Sequence, residues 1–341
     1  MRIAFDAQLS VGTATGIGEY AMGLSAALRD RGCDIVELRE PGLDPWRFDR
    51  RVLWDQVLLP SRARRTGAAL LHCPGGTMPW NAGMPVVVTV HDLAWLRVQR
   101  HARAYARWYF GRFALARYSS AAAIVADSEF SANELREAMP HCGKPVRVVY
   151  PGVSHDFCAV ERAGGDGRTI LAVGTVEPRK NLALLVRLLP RWPQARLVSV
   201  GPHTPYAGEC IALAERLGVA ERVELRGYVA RDEVLELYRI AALAAVPSIY
   251  EGFGYAAAQA LCAGLPCVVS DRSSLPEVAG SDAEVAPLED DERWTVAVQT
   301  ALDGLRDVPA AQARARAAAR FSWDAAATAM EEVYRAAIAG A

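Results

Sequence analysis

The 341-residue sequence contains no apolar run close to the ~18 residues that a membrane-spanning helix needs, and no signal-peptide pattern precedes its first strand-like segment. Its seven cysteines are scattered, odd in number and never spaced as CxxC, which argues against a disulfide framework and a structural zinc site. The hydrophobic fraction of 52% is ample for two cores. We therefore expect a cytoplasmic protein with free thiols and no metal of its own.

Lysine is scarce, since only Lys144 and Lys180 stand among 38 basic residues, and the net charge is −1. The charge is nevertheless uneven. Residues 1–150 carry 19 basic against 14 acidic side chains, for +5, whereas the remainder carries 19 against 25, for −6. This asymmetry indicates an acidic partner for the first half. No nucleic-acid recognition motif accompanies the basic charge, so we expect no nucleic-acid partner.

Short apolar segments alternate with helical patterns along the chain, which indicates parallel, doubly wound α/β sheets. Strands are predicted at residues 3–5, 35–38, 69–72, 85–90, 123–126, 146–149, 169–173, 196–200, 222–225, 243–246 and 266–270. A glycine-rich charged segment at 160–168 is predicted to be a linker. We therefore expect two Rossmann-like domains facing across a cleft, at 1–159 and 160–320, with a closing helix at 321–341 that can pack back on the first domain.

The most informative stretch is 248–266, which follows a predicted buried strand and leads into an alanine-rich helix. Glu251, Gly252, Phe253 and Gly254 lie between the two, at the carboxyl end of a strand, where ligands bind in open α/β sheets. Glycines allow the backbone to approach a ligand, and a helix amino terminus favours an anion. A carboxylate beside an anion site predicts a ligand with hydroxyls and phosphate, such as a sugar nucleotide.

Residues 174–181, GTVEPRKN, follow the first strand of the second half. Arg179 and Lys180 stand where the next helix should begin, and two cations at a helix amino terminus favour a diphosphate. The alternative is a solvated pair of charges, but cations oppose the helix dipole at that position.

Gly16, Gly18 and Ala21 fit the dinucleotide pattern G-x-G-x-x-A, with Glu37 at a suitable distance for a ribose contact. The strand ends about ten residues before Gly16, however, where a dinucleotide turn is tight. NAD binding, a plain loop and a phosphate-facing loop all remain open. His91 ends another strand and either reaches the site or is a structural side chain.

A basic aromatic helix is predicted between residues 97 and 117, and no acidic residue occurs from 93 to 126. Such a helix can lie on an anionic membrane surface or meet an acidic acceptor, with Arg100, Arg103, Arg107 and Trp108 as candidate contacts. The alternative is an ordinary surface helix with its arginines outward and its aromatic rings in the core.

Together these segments resemble the retaining GT-B glycosyltransferases of family 4, especially mannosyltransferases and other bacterial polysaccharide-assembly members. The matching segments run nearly from end to end: 16–20, 54–60 (WDQVLLP), 91–92 (HD), 127–131 (DSEFS), 174–181, 248–254 (SIYEGFG), 270–280 and 321–323 (FSW). Each is weak alone, but their order and spacing are specific.

The resemblance implies a donor nucleotide bound mainly by the second domain and an acceptor bound by the first. Arg179 and Lys180 would hold the diphosphate as it leaves, Glu251 would contact the donor sugar, and His91 would lie near it. These four residues are the implied catalytic set. The implied donor site consists of Gly16, Gly18, Gly174, Arg179, Lys180, Tyr228, Val229, Glu251, Gly252, Phe253, Gly254, Tyr255 and Gln259. Such enzymes need no essential metal, and we expect no cofactor.

One position departs from the family pattern, which is a glutamate, seven residues and a second glutamate that binds the ribose. Gln259 occupies the second position, where an amide can still accept a hydrogen bond but without charge assistance. We expect weaker donor binding rather than lost catalysis. Retention needs no protein nucleophile if the leaving phosphate deprotonates the acceptor, and Glu251 as a covalent nucleophile remains the alternative.

The resulting expectation is transfer of a hexose, first of all mannose from GDP-mannose, to a glycan acceptor that a polyprenyl diphosphate can carry, in surface polysaccharide assembly. UDP-glucose or another donor is the alternative. A sugar-nucleotide epimerase, a non-catalytic nucleotide-sugar-binding subunit and an NAD dehydrogenase are the competing classes. The basic helix would place the protein on the inner face of the cytoplasmic membrane.

Overall fold

The computed structural model describes residues 1–12, 16–97, 104–162, 165–304 and 310–340. The chain divides into two compact units. The first comprises Met1–Gly152 together with Ser322–Ala341, and the second comprises Val153–Phe321. The division after residue 152 lies seven residues before the expected one, and the closing segment belongs to the first unit.

The first unit is built on a six-stranded parallel sheet. Its strands are β1 Arg2–Asp6, β2 Asp34–Leu38, β3 Leu70–Cys73, β4 Val86–Val90, β5 Ala123–Ala126 and β6 Val146–Val148. Their spatial order is β2-β1-β3-β4-β5-β6, so the connections leave β1 in opposite directions. The carboxyl ends of β1 and β3 therefore form the topological switch point.

The helices that precede the second unit are α1 Gly16–Asp30, α2 Phe48–Leu53, α3 Leu59–Arg65, α4 Ala94–Arg97, α5 Ala104–Arg107, α6 Ala114–Tyr118 and α7 Glu129–Ala138. Two π-helical segments, Trp54–Leu58 and Trp108–Phe113, make α2–α3 and α5–α6 continuous. The predicted basic helix is therefore observed as α4 and as the continuous run from 104 to 118, and residues 98–103 lie outside the described part.

The second unit repeats this architecture with the strand order of a dinucleotide-binding fold. Its strands are β7 Thr169–Val173, β8 Arg196–Val200, β9 Val223–Leu225, β10 Leu243–Val246, β11 Cys267–Ser270 and β12 Glu284–Ala286. All pair in parallel, in the order β12-β11-β10-β7-β8-β9, so the switch point lies between β7 and β10.

In the described ranges, eight helices accompany this sheet and a ninth, α16, follows them, besides short 3-10 turns. They are α8 His155–Cys158, α9 Leu182–Leu188, α10 Tyr206–Arg216, α11 Arg231–Ile240, α12 Tyr255–Cys262, α13 Leu275–Ala279, α14 Asp291–Leu302, α15 Ala310–Arg320 and α16 Trp323–Ala339. Among the described residues, no helix combines the length and the apolar character that crossing a membrane requires.

The closing helix α16 completes the core on one face of the first sheet. Its Met330 and Tyr334 are fully buried in the cluster that contains Ile3, Phe5 and Leu24. The indole of Trp323 fills a slot beside Gly23, where a Cβ would lie 2.2 Å from the ring. Ser322 caps the helix, since its Oγ accepts a hydrogen bond from the amide of Ala325. This packing explains why the final segment is part of the first unit.

Eleven of the twelve strands coincide with predicted apolar segments to within one residue at most at either end. The predicted linker differs, because its described residues are bound into the second unit. Arg162 donates hydrogen bonds to the carbonyls of Tyr238 and Ala241, and Asp166 accepts from the backbone and hydroxyl of Thr169. The segment is therefore fixed structure where it is described.

Candidate functional site

A largely buried cluster of charged side chains lies at the switch point of the second unit. β7 and β10 are neighbours, with Ile170 opposite Leu243. The loop 174–181 after β7 and the loop 248–254 after β10 therefore leave the sheet side by side. This adjacency brings Arg179 and Lys180 to Glu251, although 71 residues separate Lys180 from Glu251 in sequence.

Glu251 is held by two cations and a hydroxyl. Lys180 Nζ donates to its Oε1 at 2.5 Å, Arg179 Nη1 donates to its Oε2 at 3.2 Å, and Ser248 Oγ donates to Oε1 at 2.7 Å. The Glu251 side chain is only 8% exposed. Burial raises its pKa, but Lys180 and Arg179 outweigh burial, so that the pKa of Glu251 lies below its ordinary value. An ionised carboxylate is thus available at this edge.

Arg179 joins the two loops. Its Nη2 donates to Glu177 at 2.7 Å and its Nη1 to the carbonyl of Tyr250 at 2.8 Å, while its own carbonyl accepts from the amide of Ile249. Lys180 is 22% exposed. The two residues lie in the 3-10 turn Pro178–Lys180, and α9 begins only at Leu182, after Asn181 in the left-handed region. They therefore precede the helix instead of standing in its first turn.

Serines that sequence reasoning did not single out fix the 248–254 loop. Ser273, at a left-handed φ of 54°, accepts from the amide of Glu251 at 2.8 Å. Ser274 Oγ donates to the carbonyls of Glu251 and Phe253, and Ser270 Oγ donates to that of Ser248. A strained non-glycine residue beside a buried carboxylate is typical of functional sites. The only signal in the sequence was the 270–280 segment, to which we assigned no role.

Glycines form the backbone of this edge. Gly174, Gly201 and Gly227 follow β7, β8 and β9, all with positive φ, and a Cβ on Gly201 would lie 2.2 Å from the carbonyl oxygen of Gly174. A small pocket of about 20 Å³ adjoins Gly174. Its polar lining comes from Thr175, Lys180, Ser199 and Ser248. Gly174 was a predicted donor contact, whereas Gly201 was not predicted.

Three of the remaining predicted donor residues lie at the start of α12 or on it. Gly254 has a φ of 97° and directly precedes α12, which begins at Tyr255. Gln259 lies on the buried side of α12, where its Oε1 accepts from the Tyr238 hydroxyl at 3.3 Å.

Two more follow β9, and two form the centre of the 248–254 loop. Val229 is half-buried and the ring of Tyr228 is 61% exposed, which leaves that ring accessible to a planar base. Gly252 and Phe253 are buried. No ligand contact tests these assignments, and they stay predictions.

The glycine loop of the first unit leads into α1. Gly16 is exposed and is the first residue of the helix, whereas Gly18 is buried. Glu37, the residue that a dinucleotide reading would place on ribose, is already engaged with α1. It accepts from Ser25 Oγ at 2.7 Å and from Arg29 Nη1 at 2.8 Å. This engagement weakens the dinucleotide interpretation, and a plain loop and a phosphate-facing loop both remain open.

His91 lies at the carboxyl end of β4 with both ring nitrogens engaged. Its Nδ1 lies 2.5 Å from Asp127 Oδ2, and its Nε2 lies 2.6 Å from the carbonyl oxygen of Pro74. The side chain is 16% exposed. His91 is thus held as a structural side chain is, and its role beside a ligand stays a prediction.

Exposed aromatic and basic side chains cluster on the helix that runs from 104 to 118. Trp108 is 55% exposed, Arg107 is exposed, and the Trp108 ring packs on Phe113 with centroids 5.3 Å apart. Trp80 stacks on the same phenylalanine and carries the Arg117 guanidinium 4.6 Å above its ring. The predicted contacts Arg100 and Arg103 lie outside the described residues.

Within the described part of the chain, no group of three or more histidine, cysteine, aspartate or glutamate side chains is arranged to hold a metal ion. The charges at the second unit's edge are instead those of Lys180, Arg179 and Glu251.

Comparison with known proteins matches two family models to consecutive parts of the chain. "Glycosyltransferase Family 4" matches residues 14–157, and "Glycosyl transferases group 1" matches residues 157–320. A D-inositol 3-phosphate glycosyltransferase of Mycolicibacterium smegmatis is 31% identical over 218 residues, which are 59% of this chain and 49% of the relative. An MMP alpha-(1->4)-mannosyltransferase of Mycolicibacterium hassiacum is 31% identical over 197 residues, 56% of this chain and 41% of the relative. The matched region thus spans about half the length of these relatives.

Solved structures share the whole fold. Sucrose-phosphate synthase from Thermosynechococcus elongatus superposes with a TM-score of 0.77 at 21% identity, covering 100% of both chains. HepE of Anabaena, in complex with UDP-glucose, superposes with a TM-score of 0.72 at 17% identity, covering 98% of this chain and 99% of that one. The architecture, two doubly wound α/β units, is that of the GT-B fold.

Proposed function

We propose, since this chain belongs to the glycosyltransferases of the family 4 and group 1 type, that it transfers a hexose from a nucleoside diphosphate sugar with retention of the anomeric configuration. The proposal assigns the donor to the second unit and the acceptor to the first. The observation that carries it is the Lys180–Glu251 pair at the β7/β10 switch point.

The pair offers a sugar nucleotide a cation for its diphosphate and a carboxylate for its sugar hydroxyls. A diphosphate brings negative charge to the edge, and Lys180 can exchange its bond to Glu251 for a bond to phosphate, because its ammonium is a mobile point charge. Glu251, released from Lys180, can accept hydrogen bonds from sugar hydroxyls. The cation then stabilises the diphosphate as it leaves, which is a transition-state effect.

Retention in this proposal uses the leaving phosphate as the base for the acceptor hydroxyl. Glu251 as a covalent nucleophile is the second candidate, and its lowered pKa supports an ionised carboxylate. Both Glu251 oxygens are engaged by cations and a hydroxyl, however, which favours the role of a hydrogen-bond acceptor. Trapping decides between the two: a glycosylated peptide containing Glu251 after incubation with a 2-fluoro donor would overturn the phosphate route.

For the donor we propose GDP-mannose, which the mannosyltransferase relative supports. UDP-glucose is the alternative, which the ligand of the HepE structure supports. The test measures thermal unfolding with GDP, UDP, ADP, dTDP and NADH, because a ligand at about a hundred times its Kd adds ~2.7 kcal/mol. Stabilisation by one nucleoside diphosphate should be lost in Lys180→Ala and kept in Lys144→Ala, the other lysine. Stabilisation by NADH alone would overturn the proposal.

Two further outcomes separate the competing classes. Conversion of the donor to an epimeric sugar nucleotide without acceptor would indicate an epimerase. Nucleotide binding without any transfer would indicate a non-catalytic subunit. We also propose that transfer needs no metal or cofactor, with Lys180 and Arg179 supplying the positive charge. Activity should therefore persist in excess EDTA, and restoration by added Mg²⁺ or Mn²⁺ would contradict the proposal.

For the acceptor we propose a glycan on a polyprenyl diphosphate at the inner face of the cytoplasmic membrane. Exposed Trp108 and Arg107 support this, since an aromatic ring and a guanidinium side by side suit an anionic bilayer surface. Flotation with anionic and neutral vesicles tests it. Arg107→Ala with Trp108→Ala should abolish binding to anionic vesicles. Arg216→Ala with Leu217→Ala, an exposed pair on α10 and just beyond it, should not. Equal flotation of both variants would overturn the membrane contact.

A further inference from the structure

The segment 127–131 matched the family pattern but received no role from the sequence. Its first and last residues, Asp127 and Ser131, both contact His91. Asp127 contacts the ring at 2.5 Å, and Ser131 Oγ donates to the His91 carbonyl at 3.0 Å. The parallel register explains the meeting, because Val90 at the end of β4 lies opposite Ala126 at the end of β5. His91 and Asp127 are the next residue on each strand.

The two ring partners determine how many protons the ring carries. The carbonyl of Pro74 can only accept, so Nε2 must carry a proton. In its ionised form Asp127 also only accepts, and Nδ1 then carries a proton as well. A ring with protons on both nitrogens is an imidazolium cation. The other Asp127 oxygen, Oδ1, is buried and has no hydrogen-bond partner among the described residues, so the cation beside it is its counter-charge.

A second histidine of the same sheet provides the contrast. His72 is fully buried on β3 and contacts the hydroxyls of Thr89, at 2.9 Å, and Tyr334, at 2.7 Å. Hydroxyls donate as well as accept, so a neutral ring satisfies both contacts. Burial, followed by the charge of His91, lowers the pKa of His72 to about 3. His91 is therefore the cationic member of the two.

We infer that Asp127 is a positioning residue that fixes His91 as an imidazolium at the carboxyl edge of the first sheet, so that His91 acts through fixed charge and not as a general base. The part that concerns catalysis rests on the proposed function and deepens it. With His91 unable to accept a proton, the acceptor hydroxyl needs another base, and the leaving phosphate is the base that the proposed route uses.

Among the described residues, the titratable groups near the ring include Asp127, Asp92, Tyr20 and His72. Asp127 and Asp92 both favour the cation, the ring of Tyr20 packs edge-on with centroids 4.9 Å apart, and His72 is neutral. Burial lowers the pKa of His91, but Asp127 and the Pro74 carbonyl outweigh it, and the net pKa is raised above 6.5. The cation is therefore lost only as the pH rises through that raised value.

The test is ¹⁵N NMR of the histidine ring nitrogens in the full chain, with His91→Gln to assign the signals among six histidines. At pH 7 both nitrogens of His91 should show imidazolium shifts. Asp127→Asn should lower the pKa of His91 by about one to three pH units, the usual effect of a neighbouring opposite charge. Ser131→Ala, which removes the hydroxyl's bond to the His91 carbonyl and keeps Asp127, should leave the ring charged. A neutral wild-type ring protonated on Nε2 alone overturns the inference, even if Asp127→Asn does not fold.

Kinetics separate the inference from the proposed function. The alkaline limb of the kcat profile should move to lower pH in Asp127→Asn, whereas the donor KM stays nearly constant. An alkaline limb that does not move, with an NMR titration that does, would retain the positioning role of Asp127 and remove the catalytic one. If no sugar transfer is found at all, the NMR result still decides the charge state of His91.

Discussion

The two units present the same kind of edge but hold their charges differently. In the second unit a buried carboxylate, Glu251, is bound by cations on flexible side chains, and Lys180 can leave it for a ligand. In the first unit a buried carboxylate, Asp127, binds a rigid ring whose second nitrogen is tied to the backbone at Pro74. In the function that we propose, the Lys180–Glu251 ion pair exchanges partners and the His91–Asp127 pair does not. On that proposal, similar folds provide one edge that binds a ligand and one edge that holds a fixed charge.

The largest effect should come from removing the exchangeable cation. Lys180→Ala should lower kcat by roughly 10²–10³, because it removes charge stabilisation of the leaving diphosphate. Lys144→Ala is the control, since this exposed lysine lies outside the site. A radiolabelled-sugar transfer assay measures both variants. If Lys180→Ala turned over within a few-fold of wild type, Lys180 would not be the cation that stabilises the leaving diphosphate.

Glycine-to-alanine substitutions should also affect stability differently at the carboxyl edges of the two sheets. Gly201→Ala should lower the free energy of unfolding by about 3 kcal/mol or more, because its Cβ would meet the backbone oxygen of Gly174 at a φ of 143°. Gly75→Ala, at the first unit's edge, should cost less, since its Cβ would meet only side-chain atoms, of Leu9 and Arg51, among its three nearest neighbours. Gly208→Ala, in open space on α10, should stabilise by ~0.5–1 kcal/mol. Urea unfolding gives the ranking, and any other order would contradict it.

The pH dependence of stability should have opposite signs at the two edges. The pKa of Glu251 is lowered, so its contribution is present above its ordinary value of 4.5 and is lost as the pH falls through the lowered one. The pKa of His91 is raised, so its contribution is present below 6.5 and is lost as the pH rises through the raised one. The stability difference between wild type and Glu251→Gln should therefore shrink in acid, and that for Asp127→Asn in alkali. If the two stability differences changed with pH in the same direction, the assigned ion pairs would be wrong.

The smallest effect should be that of restoring the family's second glutamate. Gln259→Glu should be tolerated or should tighten donor binding a few-fold, because the Tyr238 hydroxyl that now donates to the amide oxygen can donate equally to a carboxylate. Calorimetric titration with the nucleoside diphosphate that gives the thermal shift measures the change. Loss of all binding would mean that position 259 serves packing instead of the donor.

Much of the fold could be predicted because a buried parallel strand is a short, continuous apolar run. β12 could not, since Glu284-Val285-Ala286 contains no such run. The separate positions of Glu251 and Lys180 at strand ends could also be predicted. Their mutual contact could not, because it depends on β10 lying beside β7, which are not consecutive strands.

The supporting residues of the site were harder still to predict. Ser273 and Gly201 owe their roles to partners 22 and 27 residues away, at Glu251 and Gly174. Serine and glycine are common residues, and nothing local distinguishes these two. The engagement of Glu37 with Ser25 and Arg29 is likewise a tertiary contact that the dinucleotide pattern does not reveal.

The closing helix α16 has a consequence for synthesis on the ribosome. The second unit is one uninterrupted segment, Val153–Phe321, so it can acquire its core while the last residues are still being made. The first unit must wait, because α16 packs on the face of its sheet at β3, β4 and β5. During that interval the amino-terminal strands expose apolar surface, which is the kind of surface that chaperones bind. The unit that begins the chain is therefore the last to be completed.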